Sequence, residues 1–437
     1  MSLILLPVIP SQAQNTSLSR LHCIILFAIQ FAAIVLIGSQ DIPVTNHSRT
    51  GDLWIYFQDS SRLLEGKTPY RDFALEYPPL ALAAFTFPHL MLFGLKQTFY
   101  NYLWAFLVQS AVISTVTAWY VRRLAEKMRF GLSPDLSLVT YCGLVIVTSF
   151  YLPWRYDLFP ALLTMLGFTA LINRKPLNAG IWLGLGTAAK LYPIVLLPVF
   201  FLFCVTESRK RGGLKLVVGF GAALSLCLMP FAALSPTVLL SFLKYHQMRG
   251  LEIESIPAGL ILMAHVWGLT SASVVVNYGA DHIVSASAPA MIRCLPFAFA
   301  ALFGIVSWKA WQRFRFENAS GQIESSTLLT YTIAALLAFI LANKVFSPQY
   351  LIWLLPFVPL LRPRPALSLI AVFTLTTAIF PYNFPQLCSL VPMAICLVNL
   401  RNGILLIIFS VLIFRLPLVE RLRAFIGDKR ESVHAPH

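Results

Sequence analysis

Residues 50–79, TGDLWIYFQDSSRLLEGKTPYRDFALEYPP, are the one long run in which acids, bases and aromatics crowd together, with apolar runs on both sides at 23–38 and 80–95. Five carboxylates fall within it: Asp52, Asp59, Glu65, Asp72 and Glu76. A polar stretch held between segments that belong in hydrocarbon must lie at a membrane surface. Leu53, Tyr56, Phe57, Leu63 and Leu64 recur at near-helical spacing, with Thr50 available as N-cap and Gly66 as stop, so the pattern predicts an amphipathic interfacial helix. Asp52 would fall in its first turn, where the helix dipole favours an ionised carboxylate. Helping to cap a surface helix is the plainer use of the same residue.

Outward from this stretch the chain reads as a polytopic membrane protein. Of its 437 residues, 58% are hydrophobic and 12% charged, and apolar runs long enough to cross a bilayer recur throughout. The net charge of +15 would suit nucleic acid, yet the basic residues fall in short clusters between apolar runs: Arg122, Arg123, Lys127 and Arg129; Arg174 and Lys175; Arg209, Lys210 and Arg211. That is the positive-inside pattern of cytoplasmic loops, and it argues against a nucleic-acid partner. The seven cysteines are dispersed without a CxxC pair, which speaks against a zinc site or a disulfide framework. No charged n-region or clear cleavage site accompanies the first apolar run, so it reads as a retained span.

The charge rule puts the N-terminus inside and a first external loop at 39–79. The run 80–95, short and interrupted by Pro88, reads as a re-entrant or interfacial hairpin, and 99–121 returns the chain to the basic cluster at Arg122. The run 179–201, AGIWLGLGTAAKLYPIVLLPVFF, has basic residues on both flanks. One crossing would break the charge rule, whereas two half-length helices meeting at Lys190-Leu191-Tyr192-Pro193 satisfy it. Lys190 then lies inside the protein and needs an anionic partner or ligand, unless it snorkels to a surface. A second external loop is expected at 235–288, an inner basic cluster at 309–315 and a cytoplasmic tail at 416–437. Asn399-Leu400-Arg401-Asn402-Gly403 splits the last apolar stretch and leaves its crossings open. The expected architecture is a single all-α membrane domain over 1–437, a bundle of about 10–13 membrane segments with broken or re-entrant helices among them.

The outer face so defined collects Asp52, Asp59, Asp72, Glu76, Asp157, Glu252 and Glu254 with Arg71, Arg155, Lys244, Arg249 and Lys344, while the inner face offers mainly lysine and arginine. This asymmetry points to an outward-facing site for a lipid-borne substrate with an anionic headgroup. Glycosyl transfer from a lipid phosphate needs one carboxylate to take the acceptor's proton; the phosphate leaves without a second acid. It also needs positive charge where charge builds on the leaving oxygen.

Several pieces together resemble glycosyltransferase family 87 of the GT-C superfamily: Gly51-Asp52-Leu53 with Tyr56, LEGKTPYRDF at 64–73, EYPPL at 76–80, RYDLFP at 155–160, KLYP at 190–193 and FSPQYLIW at 346–353. The family's members are integral membrane enzymes dependent on polyprenyl-phosphate sugars, mannosyltransferases among them. The resemblance implies a GT-C-like bundle and inverting transfer on the periplasmic or extracellular side of a bacterial plasma membrane. It implies a mannose-like donor on polyprenyl phosphate, a lipid-linked or cell-envelope acceptor, no metal or other cofactor, and a catalytic acid at Asp52. Mannosyltransferases of the family tend to have histidines near the Ser-Pro motif, where this chain has Gln349 and Tyr350.

Asp52 is thus the candidate base, with Glu76 as the second carboxylate. Arg155, Lys190 and Lys344 are candidates for the donor phosphate, His246 and Arg249 for donor or acceptor, and Tyr192, Gln349 and Tyr350 for other substrate contacts. Trp54, Tyr56, Tyr70 and Tyr77 read as interfacial anchors, and Asp59, Glu65 and Asp72 as surface charges. Two rival classes remain: a transporter or flippase of a lipid-linked saccharide, which Lys190 in a broken helix would suit, and a non-catalytic membrane scaffold.

Overall fold

The structure, a computed structural model, describes residues 18–40, 47–234 and 241–415. Parts of both expected loops, 41–46 and 235–240, and the whole expected tail, 416–437, lie outside the described residues. Helix α1 (Arg20–Gln40) is an apolar span. Helix α2 (His47–Leu64) begins three residues before Thr50, which is therefore no cap. Asp52 leaves the first turn with it, and the dipole argument lapses. The expected stop holds: Gly66 takes a φ of +84° just past the helix.

Helix α3 (Ala81–Met91) has 11 residues, about 16 Å of helix, too short to cross. It packs with α4 (Phe99–Met128) over α2, and this covers side chains expected at the surface. Tyr56 and Tyr70 are core residues, Tyr56 stacked on Phe85 at 4.2 Å, and Asp59 is 4% exposed. Trp54, Glu65 and Asp72 do stay outside. Helices α5 (Pro134–Thr148) and α6 (Leu158–Ile172) follow, joined by a connection that carries Trp154, Arg155, Tyr156 and Asp157.

Helix α7 (Pro176–Ala189) ends at Lys190, whose backbone is extended (φ −157°, ψ 140°). A 3-10 turn over Tyr192–Leu196 leads into α8 (Leu197–Leu234). Helix α8 folds back on itself. A Cβ on Gly213 would lie 2.8 Å from the Phe201 ring, a residue that a straight helix would hold about 18 Å away along its axis. Its second half then runs beside α7, with Gly180 against the Leu216 carbonyl and Gly184 against that of Phe220. The broken-helix hairpin with Lys190 at its tip is therefore present, and the Arg174–Glu207 ion pair (2.5 Å) ties its base at the far end.

Helix α9 (Ser241–Met248), strand β1 (Leu251–Glu252), helix α10 (Ile256–Val266) and strands β2 (Ser273–Asn277) and β3 (Ala280–Val284) occupy the expected second loop. The strands form an antiparallel sheet in the order β1-β3-β2, a small departure from the all-α expectation. Helix α11 (Ala288–Ala319) includes the 309–315 basic cluster. Helix α12 (Ser325–Leu341) is buried on nearly every side, as a helix at the centre of a membrane bundle must be. After a 3-10 turn over Pro348–Trp353 come α13 (Pro363–Thr377), α14 (Phe384–Cys388) and α15 (Pro392–Ser410). The final apolar stretch breaks near Pro381, not at Asn399–Gly403, through which α15 runs continuously. Among the described residues six helices are long and apolar enough to cross a membrane, with shorter apolar helices packed among them; the protein is an integral, multi-pass membrane protein.

Candidate active site

The connection before α6, the break after α7 and the turn after α12 face a common cavity of about 1090 Å³. Asp52 and Ile55 of α2, Glu76 and Tyr77, Arg155, the Lys190 tip, the segment from α9 to β1 and the turn after α12 all line it. The ten candidates named from the sequence (Asp52, Glu76, Arg155, Lys190, Tyr192, His246, Arg249, Lys344, Gln349 and Tyr350) are all on its walls. The structure brings them together from positions up to three hundred residues apart.

Their partners differ. Asp52 forms an ion pair with Arg155. Lys190 Nζ donates to Asp157 Oδ1 at 2.6 Å, and Trp353 Nε1 donates to the same oxygen at 2.7 Å. Lys344 Nζ donates to the backbone carbonyls of Gln247 and Arg249, both at 2.7 Å. The Lys344 ammonium thus fastens the end of α9, a local job that the sequence reading did not foresee. Arg249 Nε is buried and has no hydrogen-bond partner among the described residues. Of the cavity's cations, Arg249 and Lys344 make no salt bridge to a carboxylate among the described residues, and Lys344 is already engaged by two carbonyls.

Glu252 accepts from Phe346 N (2.5 Å) and from Ser347 Oγ (2.6 Å), which straps β1 onto the Ser-Pro turn. Burial raises its carboxyl while Arg249 and these two hydrogen bonds pull it back. His246 is pushed down to about 4 by burial, then by the nearby Arg249 and Lys190 charges, so at neutral pH it presents an uncharged imidazole to the cavity. Glu254, also on the wall, accepts through Oε1 from Arg401 Nη1 (3.1 Å), with Arg401 fully buried behind it in α15. Among the described residues no group of three or more His, Cys, Asp or Glu stands together as a metal ion would require.

Another part of the lining is apolar. Ile292, Leu295, Pro296 and Phe299, which share one face of α11, join Phe339, Phe380 and Phe384 there. Asp157, Trp353, Glu254 and Arg401 were not assigned from sequence. Arg401 did carry a signal, since a charge within an apolar run marks a site or a buried partner.

The sequence pattern of glycosyltransferase family 87 matches residues 75–295, a segment that contains Glu76, Arg155, Lys190, His246 and Arg249. Among solved structures, an Archaeoglobus fulgidus oligosaccharyltransferase in the apo form is similar at 11% identity with a TM-score of 0.45; the match covers 87% of this chain and 55% of that one. The chain thus spans little more than half the length of that protein. No curated protein matches the sequence.

Proposed function

Because the chain belongs to glycosyltransferase family 87, we propose that this membrane glycosyltransferase takes its sugar from a polyprenyl phosphate and passes it, with inversion, to a lipid-linked or cell-envelope acceptor on the outer face. The observation that carries this reading is the mixed lining of the cavity. Part of it holds carboxylates and cations, and part is an apolar helix face suited to a lipid chain.

In this reading the donor phosphate lies against Lys190 and Arg249. The buried Arg249 Nε supports it, because a phosphate oxygen would supply the acceptor that this atom lacks among the described residues. The acceptor hydroxyl gives its proton to Asp52 and attacks the anomeric carbon opposite the phosphate, which inverts the configuration. As the bond to phosphate breaks, charge builds on the leaving oxygen, and fixed cations stabilise it without rearrangement. Arg155, ion-paired with Asp52, would fix that carboxylate in place for the acceptor. The basic clusters at the far end of the bundle support an outward-facing cavity.

The test is transfer from radiolabelled polyprenyl-phosphate mannose by purified protein in detergent. Asp52→Asn is expected to lower kcat at least about a hundredfold, the typical contribution of a positioned base, with the protein still monodisperse. Loss in Glu76→Gln with full activity in Asp52→Asn would move the base to Glu76. Full activity in both would sink the carboxylate mechanism, and movement of the donor across proteoliposomes without a new glycosidic bond would point to transport.

A further inference from the structure

Asp157 is fully buried at the residue preceding α6, where its side chain makes no capping hydrogen bond. It does not line the cavity, yet both donors to its Oδ1, Lys190 and Trp353, do. Its other oxygen, Oδ2, is buried without a hydrogen-bond partner. An ionised carboxylate so placed is costly unless a counter-charge offsets it, and the Lys190 ammonium is that counter-charge.

Three separate segments meet on this one oxygen: the connection before α6, the tip of α7 and the turn after α12. Trp353 is stacked between Tyr192 (4.2 Å, 5°) and Tyr350 (4.1 Å, 26°). Lys190 Nζ stands 4.8 Å from the Tyr156 ring centroid and 5.8 Å from that of Trp353, so ring faces add to its fixed position. We propose that Asp157 is a positioning residue for sugar transfer: through its shared oxygen it holds the Lys190 ammonium, and with it the Trp353 stack, in place for the donor phosphate. The inference rests on the reading of the cavity as a donor site. A lysine already fixed loses little side-chain freedom when phosphate arrives, so the effect belongs to donor capture. It reaches the acceptor only indirectly.

Asp157→Asn keeps an acceptor oxygen for both donors and removes only the charge. The variant is expected to raise donor KM about tenfold or more, with kcat within about threefold and acceptor KM unchanged. In a Lys190→Met background the same substitution is expected to alter donor KM by less than about twofold, because the group it acts through is gone. An unchanged donor KM in Asp157→Asn overturns the inference, as does an equally large effect in the Lys190→Met background. If Asp157→Asn does not fold, Asp157→Glu, which keeps the charge but displaces it by a methylene, is read by the same two comparisons. A wild-type protein that takes no sugar from the lipid phosphate overturns both readings. Normal wild-type transfer with an unaltered Asp157→Asn overturns this one alone.

Discussion

At Asp59 burial and charge compete. The carboxyl is pushed up to about 7 by burial, with Arg62 pulling it down and Glu76 pushing further up. Its folded-state value lies above the unfolded value of about 4. The protonated acid therefore favours folding, a contribution fully present below about pH 4 and lost as pH rises through the folded-state value. Asp59→Asn, a permanent mimic of the protonated acid, is expected to gain Tm over wild type as pH rises from about 4 to about 7, after which the gap stops growing. A gap independent of pH in detergent-solubilised protein would contradict this. The same residue shows the limit of sequence at this scale. Asp52, Glu76, Arg155 and Lys190 could be picked out by type and local context, whereas Asp59 looked like any surface acid because α3 and α4, which cover it, are distant in sequence. The contacts of Lys344 were hidden for the same reason, since the two carbonyls that engage it belong to residues nearly a hundred positions earlier.

Helix α7 is held against the second half of α8 by close backbone approach. A Cβ on Gly180 would lie 2.0 Å from the Leu216 carbonyl oxygen, and one on Gly184 2.5 Å from that of Phe220. Small residues four apart permit such contact between membrane helices. Gly184→Val is expected to cost about 1–3 kcal/mol through overpacking and, with Lys190 only six residues on, to weaken donor capture; a thermal melt together with a donor KM measures both. Pro193 and the flanking charges make the hairpin at Lys190 legible, and Gly180-x-x-x-Gly184 marks the face of α7 that takes the second half of α8. Other elements were not read. The β2–β3 hairpin had its signal in SVVVN and ADHIV separated by Tyr278-Gly279, both with positive φ, the geometry of a two-residue turn. The continuity of α15 had none. Arg401 and Asn402 look like a break until Glu254, which bonds both, is in place.

That contact joins the membrane bundle to the segment that presents Arg249 and Glu252. Arg401→Met leaves Glu254 buried without its counter-charge, a change of the kind that costs about 3–5 kcal/mol. The double variant Arg401→Met with Glu254→Leu removes both charges and is expected to recover most of that loss. Thermal unfolding of the single and double variants decides, and a double variant no more stable than Arg401→Met would show that packing of the guanidinium over Phe346 (4.1 Å) outweighs the pair. On the same scale, the helix that supplies the apolar wall of the cavity, α11, is hardly covered by protein along its membrane stretch. Under the proposed function, a lipid-borne substrate reaching that wall diffuses within the leaflet and never passes through bulk water. Its relevant concentration is then a mole fraction of the surrounding lipid, so inert lipid acts as a competitor by dilution, and catalytic constants compared between preparations carry meaning only at matched surface composition.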